Sequence, residues 1–92
     1  MRTRVTIPAM LDCEDRQYPI IVTDLAIAEL AAEIAEDLPV GARCRIKLPS
    51  IMPMQSLVAW TEPGLVGCSF ERLFSPETFD SLLAQWREID GS

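Results

Sequence analysis

Apolar residues recur at every second position through much of this chain. In "RVTIPAML" (residues 4–11), Val5, Ile7, Ala9 and Leu11 share one side, the pattern of a half-buried strand. "DCEDRQ" is a polar turn. "YPIIVTDL" (18–25) is rich in β-branched residues and forms a second strand. Pro19 puts its start at an edge, because proline has no N–H for a ladder. The cleanest alternation is "ARCRIKL" (42–48), with Ala42, Cys44, Ile46 and Leu48 on one face and Arg43, Arg45 and Lys47 on the other. "PSIMPM" is a loop punctuated by Pro49 and Pro53. "QSLVAW" (55–60) is a strand with Val58 and Trp60 pointing one way. "TEPG" turns the chain at Pro63 and Gly64, and "LVGCSF" (65–70) returns with Val66, Cys68 and Phe70 on one face.

The period becomes helical in "SPETFDSLLAQWREI" (75–89). Ser75 caps the helix, Pro76 suits its first position, and Glu77 favours the positive end of the dipole. Phe79, Leu82, Leu83, Trp86 and Ile89 then fall on one face, and Gly91 follows the end. Such a stripe ordinarily forms a lid over a core. Its less ordinary use is as a partner-binding face.

Residues 23–41, "TDLAIAELAAEIAEDLPVG", fit either period. As a helix, Thr23 or Asp24 caps it and Ile27, Leu30, Ile34 and Leu38 form one stripe, with strong helix formers between. As a turn and strand, residues 24–28 reverse the chain and Leu30, Ala32 and Ile34 point inward, with Glu29, Ala31, Glu33 and Ala35 outside. The alanines satisfy both schemes, so periodicity leaves the two open.

The 92 residues suffice for one domain, 49% are apolar, and no run approaches the roughly 18–20 residues that cross a bilayer. "MRTRVTIPAML" lacks the pattern of a signal peptide, which reads as a cytoplasmic protein without membrane insertion. The formal charge of −6 argues against a nucleic-acid polymer as partner but allows a small anion held by local arginines. There is no histidine, no G-x-S-x-G motif and no phosphate loop, so an enzyme is not expected. Cys13, Cys44 and Cys68 are odd in number and far apart, against a zinc site or disulfide framework. Cys44 and Cys68 sit at core positions as small hydrophobes. Cys13 is the best candidate for a reactive thiol, although Asp12, Glu14 and Asp15 around it should raise its pKa. Arg43, Arg45 and Lys47 read first as a solvated face and second as a docking strip for an acidic partner. Met52 and Met54 read first as loop anchors and second as adaptable contacts. Glu29, Glu33, Glu36 and Asp37 match no calcium loop.

Taken in order, the basic segment entering "RVTIPAML", the stretch "VTDLAIAELAAEIAEDLPVGARCRIKLP" and the hairpin "LVAWTEPGLVGCSF" resemble the PilZ domain, the bacterial receptor family for cyclic di-GMP. The resemblance covers most of the chain, from the first strand through a D-x-S-x-x-G-like turn to a V-x-W hairpin. It implies a single domain over residues 1–92, folded as a six-stranded antiparallel β-barrel with one C-terminal helix. It therefore implies a strand at residues 29–35.

The resemblance also implies where a ligand would sit. The family uses an R-x-x-x-R segment before the first strand and the D-x-S-x-x-G turn. Arginine forks pair with phosphate and guanine acceptors, and the glycine permits close approach. Arg4 matches the second arginine, whose partner would precede Met1; Arg2 is a cation in a different register. Asp24 matches, Ala26 replaces the serine, and Glu29 replaces the glycine. A lost charged hydrogen bond costs about 1.5–3 kcal/mol. One displaced arginine and one missing hydroxyl thus cost about 3 kcal/mol or more, at least a hundredfold in affinity. The expected function is a signalling module of the PilZ type with a degraded ligand motif, working through an unidentified protein partner and needing no cofactor. The alternative is a working cyclic di-GMP receptor that uses Arg2, Arg4, the Asp24 turn and Arg16.

Overall fold

A computed structural model describes residues 2–87 of the chain. Six antiparallel strands close into a barrel in the order β1-β2-β3-β6-β5-β4, with β1 Thr3–Cys13, β2 Arg16–Leu25, β3 Glu29–Ile34, β4 Arg43–Lys47, β5 Met54–Glu62 and β6 Leu65–Phe70. One helix follows, α1 Pro76–Trp86. This is the expected six-stranded barrel with a C-terminal helix. No helix among the described residues is long and apolar enough to cross a membrane.

The period-two residues fill the barrel. Val5, Ile7, Leu11, Leu25, Ile46, Val58, Val66 and Cys68 are almost fully buried, and Leu30, Ala32 and Ile34 join them. The ambiguous segment is therefore a strand. As β3 it pairs with β2 on one side and β6 on the other, from Ile20↔Ile34 to Glu29↔Ser69. Its helix propensity is worth less than about 1 kcal/mol per residue. Burying Leu30 and Ile34 contributes about 1.5–3 kcal/mol each, and a missing β3 would leave two ladders unpaired.

One expectation on side-chain direction is corrected, and one outward position proves to be covered. Trp60 does not point inward with Val58. The register shifts between these two residues, so Trp60 pairs with Gly67 while Val58 pairs with Cys68. The bulge turns Trp60 to the outer face, and its indole occupies the space over Gly67 where any Cβ would collide with the ring. Ala31 faces outward as expected yet is only 5% exposed. It neighbours Gly67 in register, on a part of the outer face that is itself covered.

The barrel is incompletely laced between β1 and β4, which pair only over Met10–Asp12. Pro8 on β1 lies beyond that pairing, and Pro19 on β2 lies just outside the β2–β3 register. Both prolines thus sit where a neighbouring strand has ended, which agrees with the edge position expected at Pro19. Helix α1 packs against β1, with Leu82 and Leu83 buried and Phe79 and Trp86 partly buried on the core. Ser75 Oγ accepts from the Thr78 N–H at 3.2 Å, and Pro76 begins the helix. The helix ends at Trp86, short of the expected Ile89, because Arg87 turns extended and pairs with Val5. Ile89 and Gly91 lie outside the described residues.

All three thiols are buried. The Cys13 Sγ–H donates to the Arg43 carbonyl at 3.5 Å, and the Sγ atoms of Cys44 and Cys68 lie 4.0 Å apart. Strand β5 separates the last two, about 9–10 Å along the sheet, more than the ~7 Å that a disulfide spans between Cα atoms. Cys13, the candidate reactive thiol, is only 4% exposed, and burial disfavours the thiolate that would react. Burial pushes its pKa above the ordinary 9.0, with smaller contributions from Cys44 and Glu14. The hydrogen bond to Cys44 and then burial push Cys68 up further. The hydrogen bond with Cys68 lowers Cys44 instead. Thiols of the unfolded chain ionise near 9.0, while folded Cys13 and Cys68 keep their protons beyond it. This part of the stability is intact below pH about 9 and is lost as pH rises above it. The urea midpoint should fall between pH about 8 and about 10.5, and fall less steeply in Cys68→Ala. Parallel curves for the two proteins would exclude Cys68 as the cause.

Candidate ligand site on the outer face of the barrel

The start of β1, the end of β2 and the start of β3 meet at one part of the rim. Arg4 pairs in register with Asp24, Asp24 with Ala31, Ala31 with Gly67, and Gly67 with Trp60. Alternation puts Val5, Leu25, Leu30 and Val66 inside, so this row lies on the outer surface. Bulges between Arg4 and Ile7, between Val22 and Asp24, and between Val58 and Trp60 all fall near it. Bulges at a barrel rim re-aim side chains, and here they set the directions of Asp24 and Trp60.

The turn after Asp24 is held by its backbone. The Ala26 N–H donates to the Glu29 carbonyl at 2.8 Å, the Phe70 N–H to Ala28 at 2.9 Å, and the Phe74 N–H to Ile27 at 3.1 Å. Ala26 is buried, so it offers a ligand neither a hydroxyl nor a free N–H. Asp24 is oriented by Thr23, whose Oγ1–H donates to its Oδ2 at 2.9 Å, with the Ala31 carbonyl as a second acceptor at 3.4 Å.

Both N-terminal arginines reach this turn, and each meets a carboxylate. Arg2 Nη2 lies 3.4 Å from Glu29 Oε1, and Arg4 Nε lies 3.8 Å from Asp24 Oδ1. The structure thus brings Arg2, Arg4, Asp24, Ala26 and Glu29 into one place. Arg16 is not there. It opens β2, eight residues from Asp24, about 26 Å along the strand, and lines a cleft with Arg43 and Cys13 at the opposite end. The basic stripe of β4 is partly neutralised, because Asp12 Oδ2 lies 3.6 Å from Arg45 and 3.1 Å from Lys47.

The arrangement presents two guanidinium groups, two carboxylates and, three strands away, an indole face above a glycine. Guanidinium forks can take phosphate or guanine acceptors, and an indole can stack a flat ring. Sequence reading turned Trp60 inward, because a bulge has no period. Its signal was a glycine in mid-strand, which marks close approach by another group. Compared with known proteins, the chain matches no family model, and no curated protein is significantly similar to it.

Proposed function

We propose that this protein is a signalling module of the PilZ type whose ligand face is occupied by its own carboxylates, and that it works through protein contacts. The observation that carries this reading is the pairing of Arg2 with Glu29 and of Arg4 with Asp24. The closed barrel with its terminal helix is the architecture the resemblance implies. Glu29 stands where the PilZ motif has glycine, and it meets the arginine that a phosphate would need. A second negative charge at that point repels a dianionic ligand.

A second reading is favoured by the same contacts. Both arginines converge on the turn, and the pairs are largely exposed, each worth about 1 kcal/mol at most. A cyclic di-GMP receptor that trades those pairs for phosphate contacts is the alternative. An NMR titration of labelled protein with cyclic di-GMP, in low millimolar excess, separates the two. The first reading expects unmoved peaks at Arg2, Arg4, residues 24–29 and the Trp60 indole. Saturable shifts there would sink it and establish the receptor.

A further inference from the structure

The two most exposed apolar side chains near the helix end of the barrel are Met52, at 82%, and Leu73, at 63%. They border one groove with two lobes. One lobe is lined by Met52, Pro53, Met54, Gln55, Glu71 and Arg72. The other is closed by Ile51, Leu73, Phe74 and Thr78, and the two share Met52, Met54 and Arg72. The lobes hold about 480 and 430 Å³ and meet at those shared residues.

The loop that carries Met52 is built to hold it out. Pro49 and Pro53 bracket it, and Ser50 sits in the left-handed region at φ 68°, a conformation that non-glycine residues rarely adopt. Backbone strain in such a loop persists where the conformation it fixes has a use. Here it fixes a methionine facing solvent beside a leucine.

The charges around the groove select the occupant. Glu71 and Arg72 are adjacent, opposite in sign and exposed, and neither side chain has an ion pair among the described residues. A two-fold axis makes an interface self-complementary: if residue i meets j, then j meets i. Glu71 and Arg72 line the same lobe, so a two-fold axis between Met52 and Leu73 of two copies would let Arg72 of each meet Glu71 of the other. A chain with a net charge of −6 repels its copies over most of its surface. At this groove the local charges cancel instead. We propose that the Met52–Leu73 groove is the seam of a two-fold homodimer. The inference stands apart from the PilZ reading and does not depend on a nucleotide.

Sedimentation velocity of the full chain tests it. The mass should rise with concentration toward twice the 10.3 kDa of one chain. Met52→Glu combined with Leu73→Glu should hold it at one chain throughout. Arg72→Glu alone should weaken the dimer about tenfold or more, and Glu71→Arg added to it should restore the dimer. All four positions are exposed, so the variants keep the barrel core. A single-chain mass up to about 1 mM would overturn the proposal and leave the groove to another protein. A dimer indifferent to the Met52→Glu and Leu73→Glu pair, or one that the charge exchange fails to restore, would overturn it equally.

Discussion

Replacing Leu82 with alanine should lower the unfolding free energy by about 2–5 kcal/mol. Leu82 is 2% exposed and sits on the face of α1 that packs toward β1. Beneath this helix the barrel is least complete, since β1 and β4 pair only over Met10–Asp12. The helix contacts β1, and Arg87 at its end bridges to Val5, on the part of β1 that β4 leaves unpaired. A domain of this size is stable by about 5–14 kcal/mol, so the loss is a large share of the total. At roughly 4–8 °C per kcal/mol, the melting temperature should fall by at least about 8 °C. Denaturant melts with an unchanged slope would assign the effect to the folded state. A change within about 0.5 kcal/mol would mean that the helix does not pack as described. Trp86 is only partly buried and its indole N–H has no partner, so Leu82 carries more of the lid's contribution.

The second large effect concerns Glu29. Glu29→Gly should raise affinity for cyclic di-GMP about tenfold, from beyond the low millimolar range to within it. The change releases Arg2 from a carboxylate 3.4 Å away and removes a negative charge from the path of a dianion. An exposed pair is worth about 1 kcal/mol at most, and relief of repulsion adds to it; 1.4 kcal/mol is tenfold. Arg4→Ala in that background should cancel the gain, since a charged hydrogen bond is worth about 1.5–3 kcal/mol. Adding Ala26→Ser should not help. Ala26 is buried, and a hydroxyl there without a partner costs about 1–3 kcal/mol of stability. Isothermal calorimetry reads the affinities directly. No gain from Glu29→Gly would show that the arginine side is lost as well.

Local pattern alone determined the strands around Val5, Cys44 and Val66 and the helix that Ser75 and Pro76 begin. In each, the burial period, the turn residues and the cap agree, so no distant contact is needed to choose. Asp24, Ala26 and Glu29 are singled out only by the resemblance to a family motif, and not by period or spacing. Tertiary structure decided three other things. It made residues 29–34 a strand, since only the neighbours β2 and β6 could outweigh the helix propensity of the alanines. It turned Trp60 to the outer face, since a bulge depends on the partner strand and leaves no period to read. It joined Arg2 to Glu29 across 27 residues and moved Arg16 to the far end, since barrel closure sets which ends meet. The chain's own sequence thus specified which charges were present, and the closed sheet specified which of them face one another.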